Sequence, residues 1–319
     1  MKKSPGIKIA ITGAGGFLGA STLDYFSLDP QVTEIRALFS SAPKKELSDK
    51  TVPIVGELKN SIICQALVEG VDCVFHFANR GFPADGERNP ARLIGLNLHA
   101  TEQLLQTMKQ AGVKNIIYAS SGGAIYRDSS RHQPYREESP TVLRTPYAAN
   151  KLISEYVIEE FSRNFQINST LLRLSNPFGL GQLNREKQGL IGVMLGKLLK
   201  HEPIKIWSSL DIVKDFIYID DVLSALDSIL KSDKPVTGTY NLGSGVGKSL
   251  MEVIQSVEKV TQRQIQFELI PNPIPENQWT VLNCSKFMNA TGWKCQHGLE
   301  DGIEELWDHL VSELEVKAA

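Results

Sequence analysis

Between the apolar run Ile7-Lys8-Ile9-Ala10-Ile11 and Phe17 lies Thr12-Gly13-Ala14-Gly15-Gly16, with a further glycine at Gly19. An apolar run that breaks into glycines and resumes with a helical pattern reads as strand, tight turn, helix. Glycines at such a turn accept positive φ, let the backbone approach phosphate oxygens, and let helix and strand pack closely. The turn runs into a helix N-terminus, where unfilled N–H groups and the macrodipole favour an anion. The spacing is G-x-x-G-x-x-G rather than the commoner G-x-G-x-x-G. In this context it predicts a cradle for a dinucleotide.

The rest of the first half alternates strands and helices. Strands are expected at Ile7–Ile11, Glu34–Phe39, Asp72–Ala78, Asn115–Ala119 and Ser169–Leu174. Helices are expected at Phe17–Phe26, Arg92–Ala111 and Pro146–Asn164. In the second of these, Leu93, Leu96, Ala100, Leu104 and Leu105 fall at helical spacing. Such alternation predicts an α/β fold: a Rossmann-type, doubly wound parallel sheet covered on both faces. After Asn176-Pro177 the texture changes to turns, short strands and helices over Gly189–Lys200 and Glu300–Val316. Residues 1–176 thus read as the nucleotide-binding domain. Residues 177–319 read as a smaller, mixed α/β substrate lobe, partly interleaved with it. Arg127–Pro140 reads as an exposed polar loop.

The bulk numbers exclude several classes. The 319 residues are 42% hydrophobic and 22% charged, with a formal net charge of -2. No basic footprint for nucleic acid or anionic lipid exists. No apolar run approaches the ~18 residues of a membrane span. The start, Met1-Lys2-Lys3 before a short strand broken by Lys8, fits a first buried strand better than a secretory leader. Cys64, Cys73, Cys284 and Cys295 form no C-x-x-C pair and read as reduced thiols, without a metal site. A cytoplasmic location is expected.

Tyr147 and Lys151 stand four residues apart on one face of a predicted helix. A free tyrosine titrates near 10, too high for a base at neutral pH. A nearby ammonium and an oxidised nicotinamide both favour the phenolate. Such a pair can exchange a proton with a sugar hydroxyl or carbonyl while a nicotinamide exchanges a hydride.

These pieces together make the chain resemble the extended short-chain dehydrogenase/reductase family, in its NAD-dependent epimerase/dehydratase group. The resemblance rests on Thr12 to Gly19, Asp72 to Ala78, Asn97-Leu-His-Ala-Thr101, Ser120-Ser121, Tyr147 to Lys151 and Leu172 to Gly179. It continues through Asp215 to Val222, Tyr240-Asn-Leu-Gly243 and Gly292-Trp293. It implies an enzyme acting on nucleotide sugars, with Tyr147 as acid/base and Lys151 also bonded to the nicotinamide ribose. The implied cofactor contacts are Gly13, Gly15, Gly16, Phe17, Leu18, Gly19, Phe77, Ala78 and Asn97, with Tyr147 and Lys151. Asn176 would contact the sugar nucleotide, Asp220 and Asp221 would be structural, and His76 would be a packed histidine. A homodimer and a role in polysaccharide or glycoconjugate precursor synthesis follow from the same resemblance.

The departures matter as much. The second strand of such folds ends in an acid that binds the ribose diol of NAD. Here it ends Leu38-Phe39-Ser40-Ser41, followed by Lys44 and Lys45. Ser40 and Lys44 therefore favour NADP, with NAD as the alternative. The family's Ser or Thr four residues before Tyr126 is replaced by Gly122, so Ser121 or Ser120 must assist Tyr147, and Ser121 is favoured. Gly122-Gly123-Ala124 stands where dehydratases have Thr-Asp-Glu, which argues against dehydration. Lys214 replaces a phosphate-binding arginine and loses its bidentate fork. Pro273-Ile-Pro275-Glu276 lacks the arginine of a later phosphate contact, for which Arg185 is the candidate substitute. Gly243-Ser-Gly-Val-Gly247-Lys248-Ser249 looks like a P-loop but has Leu242 at the first glycine position. It reads instead as a turn into a helix capped by Ser249.

The expected function is that of a nucleotide-sugar epimerase, similar to UDP-hexose 4-epimerases, with a tightly held NAD or NADP. The alternative is an NADP-dependent reductase of a 4-keto-deoxy sugar nucleotide. A non-catalytic NAD(P)-sensing protein is the third reading.

Overall fold

The computed structural model describes residues 6–80, 89–128, 132–182, 189–271 and 277–318, with side chains to residue 312. The elements of the first half are β1 (Ile7–Thr12), α1 (Phe17–Leu28), β2 (Val32–Phe39), β3 (Thr51–Val55), α2 (Ser61–Val68), β4 (Cys73–His76), α3 (Pro90–Ala111), β5 (Asn115–Ser121) and α4 (Gly122–Ile125). They continue with α5 (Pro146–Phe165), β6 (Asn168–Leu174), β7 (Asn176–Phe178), α6 (Leu190–Leu199), β8 (Ile204–Ile206), β9 (Val213–Tyr218), α7 (Ile219–Leu230) and β10 (Gly238–Leu242). The last are β11 (Gly247–Ser249), α8 (Leu250–Thr261), β12 (Phe267–Leu269), β13 (Trp279–Thr280), α9 (Ser285–Thr291) and α10 (Leu299–Ala318).

Two compact units emerge. One comprises Met1–Ile125, Thr141–Arg173 and Asp227–Tyr240, the other Tyr126–Pro140, Leu174–Leu226 and Asn241–Ala319. The first is organised by a seven-stranded sheet in the order β10-β6-β5-β4-β1-β2-β3. β1 pairs in parallel with β2 and β4, β2 with β3, and β4 with β5. This is the doubly wound Rossmann order, extended by one strand. Its switch point lies between β1 and β4, where such sheets bind ligands beyond the strand ends.

The core of this unit follows from strands buried on both faces. Ile9, Ala10, Ile11, Ile35, Val74, Phe75, Leu104, Leu105 and Ile116 are fully enclosed. Helix α3 begins on Asn89, whose side chain accepts from Arg92 N, with Pro90 in the first turn, and it ends at Gly112 with φ 76°. Its buried stripe runs through Asn97, Thr101, Leu104, Leu105 and Met108, whereas Leu96 is exposed. The expected stripe is therefore rotated, because two small polar residues face the sheet.

β3 and α2 are among the elements that the sequence pattern does not reveal. β3 is half-exposed at the sheet's edge, and Pro53 within it masks the strand pattern. α2 is a short helix capped by Asn60. β4 is shorter than the expected Asp72–Ala78, because the N–H groups of Phe77 and Ala78 bond to the Thr12 hydroxyl, each at 3.0 Å. Arg127–Pro140 is not simply an exposed loop. Tyr135 within it is buried, stacks on Tyr126 with centroids 5.0 Å apart, and bridges to Leu282.

The second unit gathers around β9, which pairs antiparallel with β11 and parallel with β13 and β7. Its centre is the buried carboxylate of Asp215, which accepts from Ser244 N at 2.9 Å, Ser244 Oγ at 2.8 Å, Gly245 N at 3.1 Å and Leu282 N at 3.2 Å. A Cβ on Gly243 would lie 2.5 Å from Asp215 Oδ2. The P-loop-like glycines therefore wrap an anion that the chain itself supplies. Ser249 caps α8 through a full capping box with Glu252.

Leu105→Ala removes a fully enclosed side chain from the α3 face. It is expected to cost about 3 kcal/mol, read as a lowered urea midpoint with an unchanged slope. An unchanged midpoint would contradict this packing.

Candidate active site

The glycine turn is built as a cradle. Gly13 has φ +70°, and a Cβ there would meet Ala78 N at 2.9 Å. A Cβ on Gly19 would lie 2.2 Å from the Gly13 carbonyl oxygen, so α1 can approach the turn only without one. α1 then starts with neither a side-chain cap nor an acidic residue in its first turn. A side-chain-free turn feeding an uncapped helix start suits a diphosphate, so these residues fit a dinucleotide. Phe17 is buried, Leu18 and Gly16 are half-buried, and Gly15 is exposed, where a Cβ would meet the Phe39 ring at 3.7 Å.

Thr12 fastens β1 to β4 at the switch point. Its oxygen accepts from Phe77 N and Ala78 N, and lies 2.8 Å from His76 Nδ1. With both lone pairs engaged, the hydroxyl donates to Nδ1. His76 therefore carries its proton on Nε2, which lies 3.0 Å from Thr101 Oγ1. Burial first, and the Lys151 charge second, push the imidazole down to about 3. It is a neutral packing group at any ordinary pH. Asn97 grips the next peptide: Oδ1 accepts from Arg80 N at 2.8 Å and Nδ2 donates to Arg80 O at 3.0 Å. Both of its amide atoms thus hold the strand end beyond Ala78.

At the end of β2, Ser40 and Lys44 are exposed. Lys45 is held away by Asp24 of α1, with Nζ–O distances of 2.5 and 2.6 Å. Of the lysine pair, Lys44 is the one not drawn onto α1.

Tyr147 and Lys151 sit on α5, which starts on Thr145, its hydroxyl accepting from Ala148 N, with Pro146 in the first turn. The Tyr147 hydroxyl is hydrogen-bonded to Ser121. Lys151 is buried, donates to Ala119 O at 2.7 Å, and places Nζ 5.7 Å from the Tyr147 ring centre and 5.0 Å from that of Tyr118. Ser120 turns elsewhere, donating to Glu155 Oε1 within the interior. Glu155 in turn holds Arg173, with Nη2–Oε2 at 2.7 Å and Nε–Oε1 at 3.1 Å. The structure thus brings Ser121, Tyr147 and Lys151 together and separates Ser120 from them. Glu155 and Arg173 escaped the sequence reading. Their signals were an acid one turn beyond Lys151, and a lone cation inside the apolar strand Leu171–Leu174.

The electrostatics are finely opposed. Burial pushes the Tyr147 phenol above its ordinary value, and the Ser121 hydrogen bond pulls it back. Burial pushes Lys151 down to about 8, and Glu155 opposes that shift. The lysine alone does not make the tyrosine a phenolate, since burial outweighs it. The side chains by themselves leave a protonated phenol beside a readily titrated ammonium.

In the second unit, Asn176 Nδ2 donates to Asp215 O at 2.8 Å, and Lys214 is half-buried on β9 opposite Lys248. Asp221 is buried and accepts from Gln296 N at 2.8 Å and His297 N at 2.9 Å. Arg185 and all of Pro273–Glu276 lie outside the described residues. Among the described residues, no cluster of His, Cys, Asp and Glu could hold a metal. No described helix is long and apolar enough to cross a membrane.

The Lys151 shift has a consequence for folding. The unfolded chain keeps that proton up to about 10.5, the folded chain only to about 8. Between these values the unfolded state binds more protons, so stability rises with pH. The burial cost of the charge is fully present below the lower value. Lys151→Met removes the titration. The Tm of the native protein relative to this variant is expected to climb from pH 8 towards pH 10.5. A difference that is flat with pH would contradict the burial of a charged Lys151.

Residues 9–243 match the sequence model of the NAD dependent epimerase/dehydratase family. The dTDP-4-dehydro-6-deoxyglucose reductase of Escherichia coli is 28% identical over 317 residues, covering 93% of this chain and 96% of that protein. The UDP-glucose 4-epimerase of Mus musculus is 25% identical over 334 residues, covering 94% and 95%. Among solved structures, the UDP-glucose 4-epimerase of Thermotoga maritima, determined with UDP-glucose, superposes with a TM-score of 0.88 at 23% identity, over 97% of this chain and 100% of that one. The glycine cradle, the Tyr147–Lys151 pair and the match across most of its length make this chain a member of the NAD dependent epimerase/dehydratase family.

Proposed function

We propose that the chain is a nucleotide-sugar 4-epimerase, acting on a UDP-hexose-like substrate through a transient 4-keto sugar, with NAD or NADP tightly held. The observation that carries this reading is the convergence of Ser121, Tyr147 and Lys151 beside a sheet whose first turn is a diphosphate cradle. A bound nicotinamide supplies the acceptor and donor of hydride. Gly13, Gly15, Gly16 and Gly19, with Phe17 and Leu18, would hold its diphosphate end. Phe77 and Ala78, fixed by Thr12, would line the turn, with Asn97 holding Arg80 just beyond them.

The chain's own part is the proton. Tyr147 takes the proton of the sugar's C4 hydroxyl and returns it when the keto group is reduced on its other face. Ser121 holds the oxygen between them. Epimerisation needs one group to serve in turn as base and acid. A phenol whose burial favours the neutral form, beside an ammonium that favours the charged form, is suited to that alternation. The corner Gly122-Gly123-Ala124 offers no carboxylate, so elimination of water across a carbon–carbon bond finds no second acid or base there. Asn176 and Lys214 are assigned to the sugar nucleotide, as is Arg185.

One observation favours a second reading, that of an NADP-dependent 4-keto-deoxy-sugar reductase. β2 ends at Phe39 and Ser40 without a carboxylate for a ribose diol, and Lys44 follows at the surface. The reductase relative from Escherichia coli points the same way. A homodimer and a cytoplasmic location are part of the proposal.

The purified protein is expected to interconvert UDP-glucose and UDP-galactose without added NAD(P)H, and to release one dinucleotide on denaturation, identified by mass spectrometry. Tyr147→Phe should lower kcat by about 10²–10⁴-fold, the usual worth of a positioned acid/base. Strict dependence on stoichiometric NADPH with a 4-keto substrate would replace the epimerase by the reductase.

A further inference from the structure

Three consecutive residues at the end of β5 are each bound by one face of α5. Lys151 takes the Ala119 carbonyl, Glu155 takes the Ser120 hydroxyl and Tyr147 takes Ser121. Tyr147, Lys151 and Glu155 are spaced at i, i+4 and i+8, so they line one stripe of the helix. Glu155 is only 4% exposed. A carboxylate so placed needs a cationic partner and further hydrogen bonds. Arg173 of β6 provides the first through two nitrogen atoms, with Nη2–Oε2 at 2.7 Å, and Ser120 provides the second.

We propose that Glu155 is a positioning residue of this site: anchored by Arg173 and Ser120, its carboxylate keeps Lys151 in the ammonium form beside Tyr147. The inference rests on the reading of Tyr147 and Lys151 as the proton-handling pair. Burial works to strip the proton from Lys151, and Glu155 is the group that opposes it. The other titratable groups packed about Lys151 supply no anion at neutral pH. Tyr118 of β5 is driven up by burial, His76 of β4 is neutral, and Tyr147 is held as a phenol. Arg173 of β6 is paired with the carboxylate itself. Glu155 thus sets the pH up to which a positive charge faces the tyrosine.

The test is a titration of Lys151 in the full-length protein labelled with 13C at lysine Cε, followed by NMR and assigned by the resonance missing in Lys151→Met. The native protein is expected to titrate near 8. Glu155→Gln should lower that midpoint by about one pH unit or more, and Glu155→Asp, which keeps the charge, should leave it near the native position. If Glu155→Gln unfolds, Glu155→Gln/Arg173→Met removes both buried charges and should still lower the midpoint, by a smaller amount because the opposing field of the cation goes with it. A midpoint unmoved by loss of the carboxylate, or moved equally by Gln and Asp, overturns the proposal. The titration needs no turnover. A failure of the epimerase reading, seen as absent interconversion, is therefore distinct from a failure of this one. In an active enzyme, the basic limb of the kcat profile should move with the NMR midpoint.

Discussion

A single hydroxyl carries more of this site than any catalytic group. Thr12 Oγ1 accepts two backbone N–H groups from the end of β4 and gives its proton to His76. It thereby ends one strand, fixes the tautomer of a buried histidine, and brings the Phe77–Ala78 turn up to Gly13. Every later feature inherits that spacing. α1 follows the turn that Gly13 shapes, and Ala78 is the backbone that forbids a side chain there. A buried donor or acceptor left unmatched costs about 1–3 kcal/mol, so the Thr12 cluster is stable only with all its members in place.

The same economy runs through both units. Each buried charge is surrounded by partners drawn from sequence-distant segments. Glu155 meets Arg173 and Ser120, and Asp215 meets the turn at Ser244–Gly245 and the strand end at Leu282. Asp221 meets the peptides of Gln296 and His297. Buried ion pairs are weak as stabilisers but costly to break, so they act as registers that tie particular loops to particular strands. Gly243 illustrates the result, since a side chain there would collide with the Asp215 carboxylate.

Much of this was legible from the chain. β1, the glycine turn and α1 follow from an apolar run meeting glycines, and α5 from Thr145-Pro146 and the periodicity behind them. Tyr147 and Lys151 share a face because four residues make about one turn. What escaped was set by long-range partners. The stripe of α3 could not be phased from its leucines, because Asn97 and Thr101 face inward to bond with Arg80 and His76. The choice between Ser120 and Ser121 depended on Glu155, whose importance appears only when β6 brings Arg173 beside it. Tyr135 looked exposed amid polar neighbours, and is buried because it stacks on Tyr126. At Tyr147, likewise, spacing reveals a neighbouring charge but not the desolvation that opposes it.

The order of strands also dictates when the molecule can become whole. β10, made from residues near 240, is the outermost neighbour of β6, a strand completed some seventy residues earlier in the chain. A nascent polypeptide halted after β6 would present that strand's bonding edge to solvent, with its apolar residues Leu171, Leu172 and Leu174 beside it. Such an edge invites pairing with another copy. The seven-stranded unit is therefore incomplete in any N-terminal piece that stops at β6. It closes only after the ribosome has delivered a large share of the other unit.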